Sequence, residues 1–216
     1  MSDLRKMGGL AALIQAATFV IGFGFFATNS TENFSPAQYL AYLAENHVIL
    51  QILNLILYVV FGVFLVVLSL ALHDRLKALA PAMIQVATVF GLIWAGLLIG
   101  SGMVSNKSID VVVNLYETDP AQAELVWLTL APVQKGLGGE DEIVGGLWVL
   151  LVSWAALRGG GLPKALNYLG AVIGVSGILT VIPALDILAV VFGLGLIVWF
   201  IAVGIVMLRT NPRAVA

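Results

Sequence analysis

Three adjacent acids, Glu140, Asp141 and Glu142, are the residues of this chain with the clearest capacity for chemistry. They precede an apolar segment over 143–157, whose 15 residues would cover only about 22 Å as a helix. Because the hydrocarbon core of a bilayer is ~30 Å thick, the helix either begins among the acids or crosses a thinned bilayer. In the first case a carboxylate reaches membrane depth, where ionisable side chains usually mark a proton or cation pathway.

A second set of polar side chains, Gln51, Asn54 and Tyr58, lies on the apolar segment 48–72. Spacings of three and four residues place all three on one face of a helix. This face either lines a cavity continuous with the acids, of which Glu142 is the deepest, or bonds to neighbouring helices. Intramembrane amides commonly form such bonds between helices, and the acids would then be only a solvated helix start. Both interpretations stay open at this point.

Other kinds of site find no support in the sequence. The chain has no cysteine, which excludes disulfides, thiolate metal sites and cysteine nucleophiles. His47 and His73 are far apart and lack the paired spacing of a zinc site. The net charge of −2 argues against nucleic-acid binding. We therefore predict no catalytic residue, no metal ligand and no cofactor.

Composition assigns the chain to the membrane. Hydrophobic residues make up 61% and charged residues only 10%, with a mean hydropathy of +1.05, whereas soluble domains are about half apolar and a quarter charged. The long, continuous apolar runs are typical of helices that span a bilayer. We predict an all-α bundle of six spanning helices in one domain over 1–216, with spans at about 8–27, 48–72, 81–104, 141–158, 165–185 and 187–208.

The distribution of basic residues predicts the orientation. Of the ten lysines and arginines, only Lys107 and Lys135 fall in the predicted loops opposite the amino terminus. Because cytoplasmic loops carry the excess of basic residues, both termini are predicted to be cytoplasmic. The first apolar run is long for a signal peptide, and Phe25 occupies a position where a cleavage site needs a small residue. We interpret this run as a retained span.

The two longer outer loops each contain a helix-start signal, Ser35-Pro36 and Asp119-Pro120. A capping side chain followed by proline at the first helical position is typical of a helix amino terminus. Tyrosines follow the first signal and a tryptophan follows the second, which predicts one or two helices lying at the outer interface. They would anchor the protein or act as a lid over an outward cavity.

Small residues recur at helical spacing within the predicted spans. Glycines four residues apart let helix backbones approach closely, either inside one chain or between the chain and a second copy or membrane partner. The rows are formed by Gly96 and Gly100, and by Gly170, Gly174 and Gly177.

Three stretches of the sequence resemble a bacterial multi-pass membrane family, DUF4386, a domain of unknown function. The resemblance covers essentially the whole chain and implies a bacterial inner-membrane protein. It lends no catalytic or ligand-binding residue. The stretches are Arg5-Lys6 with Gly8-Gly9-Leu10-Ala11-Ala12, Glu142-Ile143-Val144-Gly145-Gly146-Leu147-Trp148, and Arg158-Gly159-Gly160-Gly161-Leu162-Pro163-Lys164.

The sequence favours a bilayer-embedded, non-enzymatic component that binds, senses or assembles with other molecules. The alternative is a small carrier with an outward acidic site for a cation or a proton. A membrane-embedded lipid-modifying enzyme is the third hypothesis. A water-accessible cavity that reaches Glu142 and Asn54 would favour the carrier. If the amides instead bond to neighbouring helices, the carrier hypothesis loses its support.

Overall fold

The computed structural model describes residues 2–31, 33–139 and 142–209. Every regular element in this part of the chain is helical. The α-helices are α1 (Ser2–Thr28), α2 (Pro36–Asn54), α3 (Phe61–Leu76), α4 (Pro81–Tyr116), α5 (Pro120–Gln134), α6 (Ile143–Gly159), α7 (Lys164–Leu179) and α8 (Leu188–Arg209). A π-helical segment, Leu55–Val60, joins α2 to α3, and a kinked segment, Lys135–Gly139, follows α5.

Five of these helical segments are long and apolar enough to cross a membrane: α1, the continuous helix Pro36–Leu76, α4, the Pro120–Gly159 segment and α8. The helix α7 is apolar but has only 16 residues. The predicted span 165–185 is therefore too long, since the helix ends at Leu179 and a short 3-10 turn follows at Pro183–Leu185.

The first and last described helices meet at one end of the bundle. Arg5 donates hydrogen bonds from Nη1 to the carbonyl oxygens of Met207 and Leu208, at 2.9 and 3.3 Å. A cation is favoured there because the carbonyls at a helix carboxyl terminus carry partial negative charge. We call this end of the bundle the terminal end and the opposite one the distal end.

Both predicted helix starts are present, but the first of them does not begin a separate interfacial helix. Ser35 forms a capping box with Gln38, and the side chain of Asp119 accepts from the Gln122 backbone N–H. After Pro36, however, the chain stays helical through Leu76, because no proline or glycine interrupts it before α3. The stretch over 36–54 is thus collinear with the span that follows it.

The distal end has a small core of its own. The amino-terminal part of α2, the last turns of α4 and the helix α5 pack together there, and Tyr39 stacks on Trp127 with ring centroids 5.1 Å apart. At 1.5 Å per residue, α4 is about 54 Å long, so it extends well beyond a ~30 Å hydrocarbon core. The buried side chains of this core are Leu40, Leu43, Ile109, Val112 and Ala123.

Aromatic rings fill the centre of the main bundle. Trp148 packs against Trp94 and Trp199 with ring centroids 5.8 and 5.6 Å apart, and Phe200 also contacts it. Trp148, Trp199 and Phe200 are each 0% exposed. This aromatic core fills the space where α4, α6 and α8 meet.

A serine, a glycine and a tryptophan from three different helices meet twice in the bundle. In each case a Cβ added to the glycine would collide with the serine Oγ and the tryptophan Nε1. Close approach of the three helices at these points therefore depends on the missing side chain. The two triads are Ser69, Gly91 and Trp148, and Ser153, Gly170 and Trp199.

The triads belong to two equivalent hairpins, α3–α4 and α6–α7. Gly62 faces Ala95 O and Ile99, and its counterpart Gly146 faces Gly174 O and Ile178. In the first helices of the two hairpins, equivalent residues lie 84 positions apart, as Gly62 and Gly146 do, and Ser69 and Ser153. In the second helices, equivalent residues lie 79 positions apart, as Gly91 and Gly170 do. The two hairpins therefore repeat one packing arrangement.

The two glycine rows have different surroundings. Gly174 and Gly177 contact α6 directly, and Gly170 faces Ser153, which agrees with close packing inside the chain. A Cβ on Gly96 or Gly100 would meet no atom within 4 Å. This second row therefore does not bring two helices of the described chain close together. Docking of a second copy or of a membrane partner on it stays a prediction.

Candidate functional site

The amides of the predicted polar face bond to α4. Gln51 donates from Nε2 to Asp110 Oδ1 at 2.5 Å, and Lys107 donates to the other oxygen of that carboxylate at 3.1 Å. One turn further, Asn54 donates to Ser105 Oγ at 2.8 Å and to Asn106 Oδ1 at 3.1 Å. These amides hold the continuous helix Pro36–Leu76 against α4.

Replacing Asn54 with alanine is expected to lower the stability of the protein modestly. The change removes both hydrogen bonds of the amide, and bonds of this kind contribute about 0.6–1.7 kcal/mol each inside membrane proteins. Thermal unfolding in detergent measures the effect, with Asn114→Ala, an exposed position on α4, as the control. Equal melting temperatures for the two variants would contradict the assigned role.

Tyr58 and Glu142 instead border a cavity in the distal half of the bundle. It has a volume of about 310 Å³ and lies between α1, the α2–α3 helix, α4 and the start of α6. Small-molecule sites generally have volumes of ~300–1,000 Å³ and mostly apolar walls. The lining residues are Thr18, Phe19, Gly22, Phe23, Phe26, Leu57, Tyr58, Phe61, Trp94, Leu98, Gly138 and Glu142.

The π-helical segment Leu55–Val60 forms one wall of this cavity. Leu57 and Tyr58 both lie on it, and a Cβ on Gly102 of α4 would lie 2.7 Å from Tyr58 Cβ. The wider turn of a π-helix displaces side chains from the regular helical positions, and such turns are frequent at functional sites. The segment thus changes the side-chain register at the level of the cavity.

Gly138 and Glu142, both in the connection between α5 and α6, also line the cavity. Gly138 adopts a φ of 117°, a backbone conformation that glycine adopts without strain. Ser101 Oγ donates to the Gln134 carbonyl at 3.0 Å, and this bond ties the connection to α4. The backbone N–H of Glu142 donates to Thr180 Oγ1 at 3.2 Å. These bonds hold the end of α5 and the start of α6 beside the cavity.

The acid cluster is described only in part. Glu142 directly precedes α6, which begins at Ile143, and is partly buried. Glu140 and Asp141 lie outside the described residues. The structure thus brings Glu142 and Tyr58 to one cavity, whereas Gln51 and Asn54 bond to α4.

The walls of the cavity are aromatic and carry little charge. Among its described lining residues, Glu142 is the one that is charged at neutral pH. Five aromatic rings border the space in addition to the Tyr58 ring. An aromatic face presents negative electrostatic potential to what lies above it. The site therefore combines a large apolar contact surface with one anionic group.

The sequence model of the family Domain of unknown function (DUF4386) matches residues 7–204. The chain belongs to this family. No curated protein and no solved structure matches the chain. Membership of DUF4386 is consistent with the apolar helices described above.

The aromatic cavity of this DUF4386 member was missed in the sequence, although its signal was present. Phe19, Gly22, Phe23 and Phe26 follow the spacing of one helical face, and all four line the cavity. An aromatic stripe in a spanning helix is more often explained by core packing or lipid contact. Only the positions of α4 and α6 show that this stripe borders an open space.

The two histidines are widely separated in this fold. His47 and His73 lie 26 residues apart on the continuous helix Pro36–Leu76, which corresponds to about 39 Å. His47 Nδ1 lies 2.8 Å from the Ala44 carbonyl, and His73 Nδ1 lies 3.1 Å from Thr88 Oγ1. A site that uses both histidines is therefore excluded.

Proposed function

We propose that this protein is a non-enzymatic membrane protein that binds one small amphipathic molecule in the aromatic cavity. The observation that carries the proposal is the cavity of about 310 Å³, whose walls hold several aromatic rings and one carboxylate. An apolar surface of this kind favours the apolar part of a ligand, and Glu142 adds a polar group to the wall. The exposed Phe26 beside the cavity offers a route of entry from the lipid.

We further propose that the chain crosses a bacterial inner membrane six times with both ends in the cytoplasm. The contact of Arg5 with the end of α8 supports this proposal, because an even number of crossings brings both ends of a chain to the same side. The short helix α7 then serves as the additional span. The excess of basic residues on the same side supports a cytoplasmic position of the terminal end, and the cavity would open towards the outer leaflet.

Equilibrium binding of a fluorescent apolar probe tests the proposal. N-phenyl-1-naphthylamine brightens in apolar surroundings and is small enough to enter the cavity. In lipid nanodiscs that contain the protein, we expect a saturable signal of one probe per chain above the signal of empty nanodiscs. A signal that only follows the amount of lipid would contradict the proposal.

A carrier remains the second candidate, because a carboxylate borders a cavity inside the bundle. Transport, however, needs a route towards the terminal end, and the aromatic core closes that route with the fully buried Trp148 and Phe200. The structure therefore favours binding without transport. Proteoliposomes that release a bound probe across the membrane only when they contain the protein would favour the carrier instead.

A further inference from the structure

We propose that the cavity selects monovalent organic cations with an apolar body over neutral and anionic molecules of the same shape. This inference rests on the proposed binding function and adds the chemical class of the ligand. The observation behind it is the charge of the cavity wall. Glu142 is the charged residue among the described lining residues, and no lysine, arginine or histidine is among them.

The carboxylate supplies the first reason for the selectivity. Glu142 is partly buried at the edge of an apolar space, where the local dielectric constant is lower than in water and a charge pair is stronger. The backbone N–H of Glu142 donates to Thr180 Oγ1 at 3.2 Å, which holds the start of α6 beside the cavity. An ammonium group near Glu142 would be attracted, whereas a carboxylate or sulfonate would be repelled.

The aromatic rings supply the second reason. Trp94 is 3% exposed and Phe61 is 2% exposed, and the centroids of their rings lie 5.5 Å apart. Because both rings are buried and pack against each other, they stay in place beside the cavity. A desolvated cation above an aromatic face gains up to about 2 kcal/mol, and tryptophan is the best ring for this interaction. A neutral group of the same size gains only the apolar contact.

The apolar body of the ligand follows from the remaining wall. Phe19, Phe23, Leu57 and Leu98 form most of it, so a small hydrated ion such as Na⁺ would lose its water without replacement. A quaternary ammonium group on an aromatic or aliphatic body satisfies both parts of the site. The inferred class is therefore the hydrophobic organic cation.

Competition between two probes of the same shape tests the inference. Benzyltrimethylammonium and neopentylbenzene differ in one central atom, nitrogen or carbon, and hence in charge. Each molecule competes with N-phenyl-1-naphthylamine in nanodiscs, which gives its affinity for the protein. The ratio of the two affinities is then compared between variants. Because each molecule partitions into the lipid equally in all variants, partition cancels in this comparison. Glu142→Gln is expected to reduce the preference for the cation about tenfold, whereas Glu142→Asp retains most of it.

A matched control separates the local carboxylate from the general charge of the distal side. Asp186 is an exposed acid in the turn between α7 and α8, and Asp186→Asn is expected to leave the preference unchanged. An unchanged preference in Glu142→Gln, or equal competition by the anion benzenesulfonate, would overturn the inference while the binding function stands. Failure of the wild type to bind any probe saturably would instead reject the proposed function.

Discussion

Replacing Gly22 with phenylalanine is expected to weaken the saturable binding of N-phenyl-1-naphthylamine strongly. Gly22 lies on the cavity wall, and a Cβ there would meet only the side chain of Leu57, at 3.1 Å from Cδ2. A benzyl group at this position can displace that flexible side chain and occupy the space of the ligand. We expect binding to weaken about a hundredfold, because an aromatic probe buries on the order of 100 Å² of apolar surface at ~25 cal/mol per Å².

The same helix offers a matched control for this variant. Gly24 is exposed, and a Cβ there would meet no atom within 4 Å, so Gly24→Phe adds the same group outside the cavity and should bind the probe normally. Leu98→Trp fills the space from α4 and should also block binding. Retained binding in both Gly22→Phe and Leu98→Trp, with wild-type melting temperatures, would contradict the assignment of the site.

Replacing Gly146 with alanine is expected to cause the largest loss of stability among the glycine variants. An added Cβ would lie 2.7 Å from both the Gly174 carbonyl oxygen and the Ile178 nitrogen. Both atoms belong to the backbone of α7, so the two helices must separate. Overpacking of this kind destabilises proteins by about 1–3 kcal/mol, and the melting temperature in detergent should fall accordingly.

Gly96→Ala is the control, and the expected sign is opposite. A Cβ at Gly96 would meet no atom within 4 Å, and alanine in a helix interior is favoured over glycine by about 0.5–1 kcal/mol. The melting temperature of Gly96→Ala should therefore equal or exceed that of the wild type. If Gly146→Ala were as stable as Gly96→Ala, the close packing of α6 on α7 would be wrong.

Periodicity and capping chemistry predicted much of the fold. The starts of α2 and α5 coincide with the Ser35-Pro36 and Asp119-Pro120 signals, because capping is a local interaction between neighbouring residues. The end of α7 was placed too late, since an apolar run continues through Val181 and Ile182 after the helix has ended. Hydropathy measures the apolar character of a segment and does not fix its backbone conformation.

The candidate site could be predicted less well from the sequence than the fold. Gln51, Asn54 and Tyr58 share a helical face in the sequence, but the π-helical segment begins at Leu55 and changes the register after Asn54. Tyr58 consequently borders the cavity whereas the two amides face α4. A π-helical segment has no sequence pattern as clear as a cap, and the space between four helices depends on long-range packing.

Photolabelling provides the most direct test that the cavity holds a ligand. The neutral reagent 3-trifluoromethyl-3-phenyldiazirine would be activated in nanodiscs that contain the protein, and the labelled positions would be mapped by mass spectrometry. We expect saturable labelling over 18–26 and 57–61 that excess N-phenyl-1-naphthylamine suppresses. Labelling confined to lipid-facing positions such as the exposed Val172, unaffected by the competitor, would contradict a ligand site in the cavity.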